Sequence, residues 1–253
     1  MPIGFIGTGR IARRLVGALA GQDHAIAVSR RNATVSAELA QRYPEVRVHD
    51  ADQALVDASD TVFLCLPPEH ALEHLRTLQF GSGQAVISVM AGIALADLQA
   101  VAPDVDHLAI IIPMPFIEQG GCTLPVYPDS EPLARLFGDA NPVMPLASEA
   151  ALTPFWASTG PMLTMLATLQ TIATWLGERI GDQATAERYL TALYAGQLKA
   201  LGRDGAGRIE EASADLAIAG GLNASVHDRL AASGYHAELT AVLEALQARI
   251  DGS

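Results

Sequence analysis

"GFIGTGRIARRLVGAL", residues 4–19, places an apolar run, a cluster of small residues and an amphipathic stretch in immediate succession. Ile3–Ile6 reads as a buried strand and Ile11–Ala20 as a helix, so the small residues fall on the turn between them. Gly7-Thr8-Gly9-Arg10-Ile11-Ala12 fits the G-x-G-x-x-G/A pattern in the context that gives it meaning, after a strand and opening a helix. Gly7 makes the tight turn, Gly9 lets a pyrophosphate approach the backbone, and Ala12 keeps helix and strand close. The uncompensated N–H groups and positive dipole end of the helix attract the anion.

Outward from this stretch the alternation continues. Ala25–Val28, Thr61–Leu66, Ala85–Val89 and His107–Ile112 read as further strands, and Thr34–Arg42, Asp52–Asp57, Pro68–Thr77 and Leu95–Ala100 as helices between them. This predicts an α/β fold that begins with a Rossmann-type, doubly wound parallel sheet over residues 1–150. From Thr153 the texture changes to apolar residues at helical spacing with no strand-like run, and the Pro-rich stretch at 141–145 reads as a linker. An all-α dimerisation domain is therefore expected over residues 151–253. Its segment at 162–180 is apolar on more than one face, which one small helical domain hardly covers; interlocking with a second copy, as a homodimer or higher homo-oligomer, is the expectation.

The end of the second strand bears on the ligand. An NAD-binding fold usually places an acidic residue there for the ribose 2′-hydroxyl; this chain has Ser29, Arg30, Arg31 and Asn32, with no carboxylate between Asp23 and Glu38. Guanidinium groups match phosphate oxygens, so NADP(H) is the expected cofactor. Leu66-Pro67-Pro68 follows another strand on the ligand side of the sheet, and Ser88, Ala91 and Gly92 read as pocket wall. With Gly7, Thr8, Gly9, Arg10 and Ile11 these complete the cofactor-binding set.

A formal net charge of −12 argues against nucleic acid or an anionic membrane as partner. No apolar run reaches the roughly 18 residues of a membrane span, and a cytoplasmic location is expected. Cys65 and Cys122 show neither C-x-x-C nor Cys/His spacing, and His70 and His74 lack a third ligand, so no metal site is expected.

The chain also resembles the pyrroline-5-carboxylate reductase family over nearly its whole length. The matching pieces come in order: "GFIGTGRIA", "SRRN", "LPP", "SVMAGI", "PMPFIEQGG", "ASTGPM" and "AGGLNASVHDRLAASGYHAELTAVLEALQARI". The resemblance implies an enzyme of proline biosynthesis that reduces the C=N bond of a cyclic imine carboxylate, pyrroline-5-carboxylate or a related imino acid, with NADPH. It places Gly220, Gly221, Leu222 and Met114 at the substrate and Asn223 and Ser225 at the reacting bond. Where the family has two threonines this sequence has Leu222 and Asn223; where it has Asn-Thr it has Met114-Pro115, and Pro67 stands for a lysine. Asn223 can donate or accept a hydrogen bond but is no general acid.

Two other readings stay open. Lys199 is the chain's one lysine and invites a β-hydroxyacid-dehydrogenase-like mechanism. The departures around Asn223 and Met114 invite an NADP-binding regulatory protein whose substrate site has decayed.

Overall fold

The structure is a computed structural model and describes residues 1–202 and 205–252. It divides into two compact units, Met1–Ala157 together with the tail from Gln247, and Ser158–Leu246.

The first unit runs β1 (Pro2–Ile6), α1 (Arg10–Leu19), β2 (Ala25–Ser29), α2 (Ala33–Arg42), β3 (Val46–His49), α3 (Asp52–Asp57), β4 (Thr61–Leu64), α4 (Ala71–Leu75), β5 (Ala85–Ser88), α5 (Leu95–Val101), β6 (His107–Ile111), β7 (Leu124–Pro128), α6 (Glu131–Phe137), β8 (Val143–Pro145) and α7 (Leu152–Thr159). The sheet order is β3-β2-β1-β4-β5-β6-β7-β8, and every neighbouring pair is parallel except β6–β7. The order reverses between β1 and β4, where open α/β sheets bind ligands.

Alternation along the central strands sorts the core onto two faces. Phe5 and Phe63 lie opposite each other in the β1–β4 register and stack with ring centroids 4.8 Å apart; Phe137 of α6 meets Phe63 edge-on. With Leu15, Val16 and Leu19 of α1 they form one cluster. Ile6, Val62, Leu64 and Val86 face the other way, against Leu55 of α3, Leu75 of α4 and Leu98 of α5. Both faces are covered, which is why these strands read as continuous apolar runs.

The structure departs from the sequence expectation at the far edge. The stretch expected as a linker contains β8, paired in parallel with β7. Pro142 and Pro145 are compatible with that place because an edge strand can leave one side of its backbone unpaired. β7 runs antiparallel because the connection from β6 holds a short 3₁₀ turn, Pro115–Gln119, and no crossover helix. The strand expected to reach Leu66 ends at Leu64.

The second unit holds most of α8 to α12: α8 (Met162–Ile180), α9 (Gln183–Ala200), α10 (Arg208–Leu216), α11 (Leu222–Ala232) and α12 (Tyr235–Asp251). Gly181 in the left-handed conformation ends α8, and the Asp182 carboxylate accepts from the Thr185 N–H at 3.0 Å to begin α9. Ala173, Gly177, Ala186 and Leu190 are buried along this hairpin. Most other large apolar side chains are not: Leu163 is 76% exposed, Ile209 67% and Ile218 70%.

Candidate functional site

The glycine turn is fixed from within. Gly7 has φ +92°, and a Cβ there would stand 2.6 Å from the Cys65 carbonyl oxygen, so no other residue fits. Its N–H donates to the Ser29 hydroxyl at 2.9 Å. The Ser36 hydroxyl donates to the Ser29 carbonyl at 2.7 Å and lies 3.1 Å from the Thr8 hydroxyl. Three buried hydroxyls thus tie the turn to the end of β2 and the first turns of α2.

Gly9 differs. Its backbone is extended, with φ −81°, and no described atom comes within 4 Å of where a Cβ would stand. Nothing in the protein requires glycine there; the bare position faces open space beside the start of α1. Among the described residues no side chain caps α1, and its first turn carries no acid, so its first N–H groups and dipole face that space uncompensated.

The space is a cavity of about 360 Å³ lined by Gly7, Thr8, Gly9, Arg10, Ile11, Ala12, Arg31, Asn32, Cys65, Leu66, Pro67 and Val89. These come from the residues following β1, β2, β4 and β5, at the carboxyl edge of the sheet astride its switch point. Burial pushes the Cys65 thiol up, so at neutral pH it is an uncharged part of the wall. Arg13 pairs with Glu38 at 3.0 Å, and Glu118 receives Arg14 at 2.6 Å and Arg42 at 3.3 Å. Arg10 and Arg31 have no carboxylate partner among the described residues, and both line the cavity. The arrangement sets uncapped N–H groups and two arginines beside an apolar wall.

Not every expected residue lies on it. Ser29 is fully buried and holds the glycine turn, so its hydroxyl does not face the cavity. Arg30 turns to Asp50, 2.8 Å away. Asn32 lines the cavity while its side-chain oxygen caps α2 by accepting from the Val35 N–H. Pro68, Ala91 and Gly92 are outside the lining, and the Ser88 hydroxyl is buried, accepting from the Met90 N–H. Cys65 and Val89 join the lining without a motif of their own; they directly follow β4 and β5, and the carboxyl-edge rule is the signal that points to them.

The segment after β6 is anchored on α1. The Glu118 carboxylate takes hydrogen bonds from Arg14 and the Tyr43 hydroxyl, and the Arg14 bond is the main cause holding its carboxyl below the usual range. Gly17 makes room: a Cβ there would meet the Glu118 carboxyl at 2.8 Å. Met114 packs against the core, its N–H directed to the Cys122 sulfur.

Residues 2–92 match the family model described as NADP oxidoreductase, coenzyme F420-dependent. No curated protein matches the chain by sequence. Among solved structures, the pyrroline-5-carboxylate reductase of Streptococcus pyogenes superposes with a TM-score of 0.82 at 20% identity, covering 100% of this chain and 99% of that one. The chain has the pyrroline-5-carboxylate reductase fold. The Plasmodium falciparum pyrroline carboxylate reductase, solved with NADP bound, gives 0.79 at 13% identity over 100% of this chain and 97% of its own. A reductive aminase from Aspergillus terreus, in complex with NADPH and ethyl-5-oxohexanoate, gives 0.54 at 18% identity, covering 79% and 73%.

The remaining expected residues of this reductase fold lie in its second unit. Gly220 has φ +74°, and a Cβ on Gly221 would stand 2.9 Å from the Ile218 carbonyl oxygen, so local geometry demands both glycines. They lead into α11, which among the described residues has no side-chain cap. Leu222 is 89% exposed, and Asn223 lines a groove of about 430 Å³ with Ser213, Ala217 and His227. The Ser225 hydroxyl donates to the Gly221 carbonyl at 2.9 Å, back onto its own helix. Lys199 is an exposed residue in the last turn of α9. Among the described residues no group of three His, Cys, Asp or Glu side chains could hold a metal, and His74 is paired with Asp52 at 2.7 Å. No described helix is long and apolar enough to cross a membrane.

Proposed function

We propose that this protein is an NADP(H)-dependent reductase of a cyclic imine carboxylate, pyrroline-5-carboxylate or a related imino acid, and a member of the pyrroline-5-carboxylate reductase family. The observation that carries the reading is the glycine-floored cavity at the switch point of this fold, which Arg10 and Arg31 line without a carboxylate partner among the described residues. The bare Gly9 and the uncapped start of α1 fit a dinucleotide pyrophosphate, and Arg10 and Arg31 supply the positive charge. Bound NADPH supplies the hydride. Leu66, Pro67 and Val89 would offer its reactive ring an apolar wall.

In this reading residues 1–150 are the cofactor domain and 151–253 the substrate and dimerisation domain. The start of α11 takes the substrate carboxylate on the N–H groups that follow Gly220-Gly221, and Ser225 braces that turn through its bond to the Gly221 carbonyl. The Asn223 amide holds the imine nitrogen by a hydrogen bond. A protonated imine is already electrophilic, so orientation, which an amide can provide, is the main demand on the protein. The exposed Leu163, Ile209 and Ile218 support a second copy of this chain as the cover for the helical unit.

The test is a panel of cyclic imines and imino acids assayed by NADPH and NADH oxidation. Turnover of an imino acid with NADPH preferred is the expected result. Equal or better use of NADH would overturn the cofactor assignment. Tight NADPH binding without turnover of any imine would replace the reductase by the regulatory reading.

A further inference from the structure

The first 50 residues carry seven arginines: Arg10, Arg13, Arg14, Arg30, Arg31, Arg42 and Arg47. Arg13, Arg14 and Arg42 bind carboxylates that brace helices, and Arg47 bonds the Pro44 carbonyl. The Arg30–Asp50 pair braces no helix. It lies at the carboxyl edge, where Ser29 pairs with His49 in the β2–β3 register and the Arg30 N–H continues the ladder to the His49 carbonyl at 3.1 Å. Arg30 and Asp50 are the next residue on each strand, so the sheet itself sets them side by side. Their side chains are 60% and 76% exposed, and an ion pair so open to water contributes little to stability.

We propose that Asp50 is a specificity-determining residue: by holding Arg30 away from the cavity it leaves Arg31 as the one arginine of the pair that meets the cofactor's 2′-phosphate, and so limits how strongly NADPH is preferred over NADH. The inference rests on the cofactor assignment of the proposed function. Arg31 lines the cavity and has no carboxylate partner among the described residues, whereas Arg30 is outside the lining. Arg30 in turn neutralises Asp50, whose carboxylate would otherwise repel a dianionic phosphate bound at the same edge. The pair is therefore balanced, and removing either member shifts phosphate recognition in opposite directions.

The experiment is a double-mutant cycle read by equilibrium binding of NADPH and NADH to the full chain, independent of any substrate. Arg31→Ala should weaken NADPH by about 10- to 100-fold, the loss of a charge-assisted phosphate contact, and leave NADH nearly unchanged. Asp50→Asn should strengthen NADPH by about two- to tenfold, and Arg30→Ala should weaken it by a similar factor. The combined Arg30→Ala, Asp50→Asn protein should return to within about twofold of the parent, since it has neither charge. If Arg30 touched the phosphate directly, the combined variant would stay as weak as Arg30→Ala; that result, or an Asp50→Asn protein with unchanged NADPH/NADH ratio, overturns the inference while the dinucleotide site stands. A parent protein that binds neither dinucleotide overturns both.

Discussion

Gly7 and Gly9 are two residues apart, and replacing each by alanine should damage different properties. At Gly9 the backbone already has φ −81° and an added methyl meets no described atom within 4 Å. Gly9→Ala should therefore fold normally, with a stability within about 1 kcal/mol of the parent, because the reduced freedom of the unfolded chain is offset by alanine being the poorer residue at the start of α1. That corresponds to a melting temperature within roughly 4 °C of the parent for a chain of this size. The same methyl occupies the space assigned to the pyrophosphate, and forcing an extra carbon into a packed contact costs about 1–3 kcal/mol, or five- to 150-fold in affinity. Gly7→Ala must instead put a Cβ 2.6 Å from the Cys65 carbonyl oxygen at φ +92°. Strain and overlap together should cost about 2–5 kcal/mol of stability. Thermal unfolding without ligand, followed by fluorescence titration with NADPH, separates the two effects. A Gly9→Ala protein that binds NADPH as tightly as the parent would refute the placement of the pyrophosphate, and one destabilised as much as Gly7→Ala would refute the claim that only a ligand requires that glycine.

Glu118→Gln should destabilise the first unit by about 1.5–3 kcal/mol at neutral pH, measured by urea unfolding, since the carboxylate is 15% exposed and accepts from Arg14. The folded-state pKa of Glu118 is lowered by that bond, so its contribution is complete above the unfolded value near 4.3 and fades as pH falls through the lower folded value; the gap between parent and variant should close on acidification. Light scattering should give a mass of at least twice 26.6 kDa, and Leu163→Glu should shift it towards the monomer; a monodisperse parent monomer would remove the dimer from the proposal. Asn223→Ala should lower kcat at least tenfold with NADPH binding unchanged, whereas Lys199→Ala should leave turnover within twofold; the opposite pattern would favour the lysine mechanism.

What the sequence disclosed, and what it hid, follows from the range of the forces involved. The strand-turn-helix at residues 4–19 is a local pattern, and the central strands announce themselves because both of their faces are covered. β3 and β8 escaped because they are short and lie at the two edges, where one side is wet and the apolar signal is weak. β7 escaped because its antiparallel direction depends on what the preceding connection lacks. Within the site, the residues of the glycine turn were legible, whereas the division between Arg30 and Arg31 was not. Two adjacent arginines look equivalent until β3 brings Asp50 beside one of them, a contact between residues 20 positions apart. Ser29 misled for a similar reason: its hydroxyl suits a ribose or a buried amide equally well, and only the fold places the Gly7 N–H within reach.

The hydroxyl network of Ser29, Ser36 and Thr8 also bears on how fast a ligand can be captured. Loops that grip phosphates often pay for ordering at the moment of binding, and their association rates fall while the loop searches. Here the Gly7 amide is bonded within the protein itself, and protein hydroxyls alone wire the turn to two neighbouring elements. The entropy of fixing that turn is charged to folding, so the Gly7 amide should resist hydrogen exchange almost as well as its neighbours in β1. In the proposed reading a nucleotide meets a mould rather than a loop, and its arrival is governed by diffusion and by the field of Arg10 and Arg31.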